Sequence, residues 1–160
     1  MTYHEELQKR NQELVKHLEK AGIETETVQD VVTAILPFNY EPKWVFDRNK
    51  SRCWALPPSS AKKLKRSLLL KISLYPGYPG RANVKMLKEN VAYKDGQPFV
   101  GSHIFGGSIC LPYAHAYSFT LEKIGEELLA YRDSMESALS AIVSGYPTTQ
   151  GLLEKAQQYG

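Results

Sequence analysis

Cys110 is the residue of this chain best suited to covalent chemistry. It closes the run Gly106-Gly107-Ser108-Ile109-Cys110 and is followed by Leu111-Pro112. A free thiol titrates near pKa ~8.5 and is only partly ionised at neutral pH. Its thiolate is nonetheless both a good nucleophile and a good leaving group, which suits acyl transfer through tetrahedral intermediates. Glycines just before a nucleophile permit close backbone approach and unusual torsions, and Gly106 and Gly107 meet that need. Their amides, with those of Ser108 and Ile109, are candidate donors to an oxyanion. The side chains of Ser108 and His115 are the other candidates. His115 could also position or deprotonate an incoming amine, with Tyr113 and Tyr117 shaping the pocket; a plain surface histidine is the competing reading. For Cys110 the competing reading is a small core residue, against which the Gly-Gly-Ser lead-in and Pro112 argue. Cys53, beside Trp54 in an expected strand, reads as a buried and inert thiol.

Two other chemistries use the same residues. His103, Cys110 and His115 could ligate zinc, but only three ligands cluster and their spacing fits no familiar zinc module. A Cys–His hydrolase would set its nucleophile at a helix start, where the macrodipole lowers the thiol pKa. Leu111-Pro112-Tyr113 does not read clearly as such a first turn.

The elements that must hold this segment can be read on either side of it. Thr2 and Glu5 form a capping-box pattern. Tyr3, Leu7, Leu14, Val15 and Leu18 then recur on one helical face up to Gly22. Val28, Val31, Val32, Ile35 and Leu36 suit a short helix ended by Pro37. Strands are expected at Lys43–Asp47, Arg52–Leu56, Leu68–Leu74 and Asn83–Leu87, separated by turn signals that include Pro57-Pro58-Ser59-Ser60. Such strands suggest an antiparallel meander of about four strands. Lys62, Lys63, Lys65 and Arg66 read as a solvated loop between two of them. The segment from Glu89 to Tyr117 is long, glycine-rich and irregular, as functional segments often are. Ile124, Leu128, Tyr131, Met135, Leu139 and Ile142 give a helix from Thr120 to Val143, and a last short helix is expected from Gln150 to Gln158. The whole is an α+β fold, read as a single domain over residues 1–160.

Composition narrows the function classes. Hydrophobic residues make up 42% and charged residues 23% of the 160 residues, ordinary for a globular protein with a real core. A net charge of +3 is too small to argue for nucleic acid. The start of the chain lacks the apolar stretch of a signal sequence, and no run approaches the ~18 apolar residues of a membrane span. Two cysteines are too few for a disulfide framework, so a reducing cytoplasm is the expected compartment.

Three features in this order resemble the ubiquitin-conjugating enzymes. The first is the stretch from Leu68 to Leu74, then Tyr75-Pro76-Gly77-Tyr78-Pro79-Gly80 and Val84-Lys85-Met86. It is similar to that family's strand, Tyr-Pro turn and following strand with a Val-x-Phe-like pair. The second, and the specific one, is His103-Ile104-Phe105-Gly106-Gly107-Ser108-Ile109-Cys110-Leu111, which resembles the active-site segment. The third is helical sequence on both sides of the sheet region. Eukaryotic members carry His-Pro-Asn, whose Asn helps hold the oxyanion; here the tripeptide is His103-Ile104-Phe105. The short distance from His103 to Cys110 is closer to the divergent prokaryotic branch, with Ser102 where a proline is usual.

The resemblance implies a UBC-like fold and a transferase that carries a ubiquitin-like modifier as a thioester on Cys110. It implies His103 as a residue bracing the active-site loop. It implies as partners the modifier, an activating enzyme and a metal-dependent isopeptidase encoded nearby, in a bacterial and antiphage-defence setting. Lys9, Arg10 and Lys16 on the first helix, with Lys20, would meet the activating enzyme; a solvated helix face is the competing reading. No metal or organic cofactor is expected on this chain, nor a nucleic-acid or membrane partner. A relative that has lost catalysis and only binds is the non-enzymatic alternative.

Overall fold

The computed structural model describes residues 2–47, 51–77, 83–97, 104–105, 108–109, 118–138 and 141–144. It is an α+β protein with an N-terminal helix, an antiparallel sheet and a C-terminal helix.

Helix α1 spans Tyr3–Lys20. Thr2 caps it, its Oγ1 accepting from the Glu5 amide at 3.2 Å, and Glu5 and Glu6 oppose the positive end of the helix dipole. At the other end the Gly22 amide donates to the Glu19 carbonyl at 2.9 Å, and the Ile23 amide to the Leu18 carbonyl at 3.0 Å. This is a Schellman closure. It needs a left-handed residue after the cap, and Gly22 supplies it with φ +76°. Leu18 and Ile23, both buried, flank the closure. Leu14 joins Leu18 on the buried face, but Tyr3 does not. It is 57% exposed, and its hydroxyl lies 3.0 Å from that of Tyr75.

The expected second helix is instead a hairpin, β1 (Glu24–Val28) with β2 (Val31–Tyr40). Val28 pairs with Val31. The two residues between them, Gln29 and Asp30, have φ of +50° and +64°, as a tight two-residue hairpin demands. The valines and isoleucine fit a 3.6 period as well as a period of two, and their β-branching decides for the strand. Val32, Ala34, Leu36, Phe38 and Tyr40 are buried in alternation. Pro37 does not end the element; it occupies an exposed position within β2. The hairpin is tied to α1 by Asn11, whose Nδ2 donates to the Asp30 carbonyl at 2.7 Å.

β3 (Trp44–Asp47) and β4 (Arg52–Ala55) pair antiparallel, as the turn between them suggests. Pro57-Pro58-Ser59-Ser60, expected to be a turn, opens helix α2 (Pro58–Leu64), because proline is well suited to a first helical turn. The basic cluster is therefore not a loop. Lys62 and Lys63 are exposed on α2, while Arg66 is buried at the start of β5 (Arg66–Tyr75). Leu68, Leu70, Ile72 and Leu74 continue the buried face of β5.

β6 (Asn83–Tyr93) runs longer than expected. The rest comprises β7 (Ile104–Phe105), β8 (Ser108–Ile109), β9 (Ser118–Thr120), a 3-10 turn at Leu121–Lys123, α3 (Ile124–Ala138) and β10 (Ala141–Ser144). The expected long last helix thus gives way to a strand. Ala141–Ser144, which includes Ile142, pairs parallel with β3. The helix expected at 150–158 lies outside the described residues.

The main sheet has the order β1-β2-β5-β6-β8-β7, with β9 also on β6. The meander skips β3 and β4, which form a second sheet of order β10-β3-β4. The chain divides into two compact units. One comprises 1–36, 70–90 and 111–132; the other comprises 37–69, 91–110 and 133–160.

In the first unit, α3 approaches the end of α1 at Gly125. A Cβ built on this glycine would lie 2.3 Å from the Ala21 Cβ, far inside contact distance. Gly125, the second residue of α3, leaves room for this approach, although glycine in a helix interior costs ~1 kcal/mol relative to alanine. Gly125→Ala is expected to lower unfolding free energy by about 1–3 kcal/mol despite the gain in helix propensity, read as a lower urea midpoint.

Candidate active site

A very short hairpin precedes Cys110 in the chain. Ile104 pairs with Ile109 and Phe105 with Ser108, so that only Gly106 and Gly107 connect β7 to β8. Two-residue connections of this kind favour glycine, which tolerates positive φ. In strand order β8 lies beside β6, and Cys110 follows β8 directly in the chain. Cys110, His103, Gly106, Gly107 and His115 lie outside the described residues; Ser108 belongs to β8. The three residues weighed as zinc ligands, His103, Cys110 and His115, lie outside as well. Among the described residues no group of three or more His, Cys, Asp and Glu could hold a metal ion.

The segment that resembles the Tyr-Pro turn is described as far as Gly77, which has φ +81°. It is braced by Arg10. The Arg10 side chain is only 14% exposed, and its Nη2 donates to the Pro76 carbonyl at 3.1 Å. Its Nη1 reaches Glu13 Oε2 at 3.4 Å. Arg10 therefore differs from the other basic residues of α1. Successive helical residues turn by about 100°, which puts Lys9, Lys16 and Lys20 on one stripe opposite Asn11, Leu14 and Leu18. All three lysines are exposed. A groove of about 520 Å³ between α1 and the β1–β2 hairpin is lined in part by Lys16, Glu19 and Asp30. Opposed charges leave it no strong preference for an ion of either sign.

Sequence reasoning missed a buried carboxyl. Glu89 on β6 is 6% exposed and accepts a hydrogen bond from the Tyr131 hydroxyl of α3. The Tyr131 ring meets Phe119 edge-on, with centroids 6.1 Å apart. Val84 and Met86 are buried in alternation, but Leu87 and Lys88 are both exposed and burial resumes at Glu89 and Val91. That change of phase along β6 is invisible to a strict period of two. Cys53 is another correction: expected to be buried, it is exposed on β4.

Among the described residues no helix is long and apolar enough to cross a membrane. The chain matches no family model, no curated protein and no solved structure.

Proposed function

We propose that this chain is a ubiquitin-conjugating-like acyltransferase of the divergent prokaryotic type, with Cys110 as its thioester-forming residue. The observation that carries the reading is the segment from His103 to Leu111, whose Gly-Gly-Ser-Ile-Cys-Leu run follows the sheet strands in the family's order. An N-terminal helix before the sheet and a helix after the cysteine segment agree with it. Of the four strands expected in the meander, β5 and β6 lie side by side in the main sheet, whereas β3 and β4 pair in the second sheet.

In the first step the Cys110 thiolate attacks the carbonyl carbon of a thioester on the activating enzyme. A new C–S bond forms, the tetrahedral oxyanion collapses, and the donor thiolate leaves. In the second step a neutral amine attacks the Cys110 thioester. The C–N bond forms, the amine gives up a proton, and the Cys110 thiolate departs. Both oxyanions need donors, and removing one such donor typically costs ~2.7–4 kcal/mol of barrier. With no Asn after His103, the amides of the Gly106–Ile109 run and the side chains of Ser108 and His115 take that role. His103 braces the loop. Lys9 and Lys16 offer an exposed basic stripe to the activating enzyme, and Arg10 holds the turn behind it. ATP is consumed by the activating enzyme, so this chain needs no cofactor.

Incubation with the cognate activating enzyme, modifier and ATP is expected to raise the chain's mass by that of one modifier, in a bond cleaved by thiol reductants. An unmodified chain under conditions where the activating enzyme is itself charged would sink the proposal and leave a binding module. Hydrolysis of free peptides or esters without transfer would favour the hydrolase.

A further inference from the structure

We propose that the cleft between the start of β5 and the turn after β6 binds the phosphate group of a small molecule. The cleft measures about 290 Å³ and is lined by Lys65, Arg66, Ser67, Tyr93, Lys94 and Asp95. It lies wholly within the second compact unit. Its volume suits a tetrahedral oxyanion with the atoms next to it.

The charge balance selects an anion. Lys65, Arg66 and Lys94 bring three positive charges against the one of Asp95. That carboxylate is already engaged, its Oδ1 accepting from the Gln97 amide at 3.0 Å. Lys62 and Lys63, exposed on α2, add to the positive field on the approach. Arg66 is the fixed member of the set. Its residue is 7% exposed, and Nη1 is anchored by the Lys65 carbonyl. Burial lowers its pKa on balance, only partly opposed by the neighbouring Tyr93, but a guanidinium stays charged throughout the ordinary pH range. A planar guanidinium held in place matches the oxygens of a phosphate better than a mobile ammonium does. Lys65 and Lys94, both exposed, supply the adjustable charges, and Ser67 a hydroxyl donor.

The opposite wall is equally well defined. The Tyr93 amide donates to the Gln97 carbonyl at 2.8 Å, and the Gly96 amide to the Tyr93 carbonyl at 2.8 Å. Gly96 takes φ +85°, closing a tight turn that carries Lys94 and Asp95. An arginine on one wall and a braced turn on the other give a site largely formed before a ligand arrives, which limits the ordering cost of binding.

The test is a titration of the full chain with inorganic phosphate and, separately, with adenosine monophosphate, followed by amide NMR. Saturable shifts at Lys65–Ser67 and Lys94–Gln97 are expected, with half-saturation on the order of millimolar, and they do not arise when sodium chloride is added to the same ionic strength instead. In Lys65→Gln/Lys94→Gln, two exposed changes that should leave the fold intact, the half-saturation point rises about tenfold. Tighter binding of the nucleotide identifies a phosphomonoester of an organic molecule as the source; equal binding identifies free phosphate. Shifts that sodium chloride reproduces, or a half-saturation unchanged in the double variant, would overturn the proposal. The outcome is independent of thioester formation on Cys110.

Discussion

Cys110→Ala is expected to abolish the reductant-sensitive adduct, and Cys110→Ser to replace it with an adduct that survives reductant. Alanine offers no atom that can form the acyl bond, so the loss is complete. Where enzymes have lost a nucleophile, rates fall by on the order of 10⁶-fold. Serine can form the bond, but its hydroxyl is scarcely ionised at neutral pH and an alkoxide is a poor leaving group. The oxyester therefore forms slowly and resists both reductant and amines. Because Cys53 is exposed, it is the one other thiol that could accept the modifier, and Cys53→Ala is expected to charge like the unaltered chain. An adduct that persists in Cys110→Ala and disappears in Cys53→Ala would move the chemistry to β4 and end the family reading. Far-UV circular dichroism of each variant separates loss of the nucleophile from loss of the fold.

The elements legible in the sequence were those whose signals do not compete. Thr2, Glu5 and Gly22 bracket α1 because a cap and a left-handed closure leave a local signature. The stretches expected as strands in β3, β4, β5 and β6 are strands because turn residues separate them. Where two periods fit the same residues, the reading failed. Val28 to Leu36 satisfies a helical stripe and a strand alternation alike, and the Gln29-Asp30 turn that decides between them has no glycine to announce it. Pro57-Pro58 reads as a breaker, yet proline is also a good first residue of a helix, which is what α2 makes of it. The parallel pairing of β10 with β3 joins segments almost a hundred residues apart, and no local pattern encodes such a partner. The same holds for the phosphate cleft: Arg66 and Lys94 are distant in the chain, and only the strand pairing brings their ends together. The reactive segment is the opposite case. Its Gly-Gly pair and its thiol are adjacent in sequence, so a candidate centre can be named without knowing what surrounds it.

Leu70→Ala is expected to cost about 2–5 kcal/mol of unfolding free energy, whereas Leu87→Ala should cost well under about 1 kcal/mol. Both are leucines on central strands of the main sheet, so strand propensity and chain entropy change alike. They differ in burial: Leu70 is 0% exposed and Leu87 is 49% exposed. Removing the Leu70 side chain forfeits its transfer free energy and leaves a cavity among side chains that relax only partly. Leu68 and Ile72 share its face of β5, and both are fully buried, so neither can move outward to let solvent fill the gap. Leu87 falls where β6 changes phase, and water already covers half of it. Domains are typically stable by only about 5–15 kcal/mol, so the first change removes a large share of the total. The check is urea denaturation: the midpoint should fall sharply for Leu70→Ala at unchanged slope and barely move for Leu87→Ala. Equal shifts would mean that the alternation along β5 does not face the core as described.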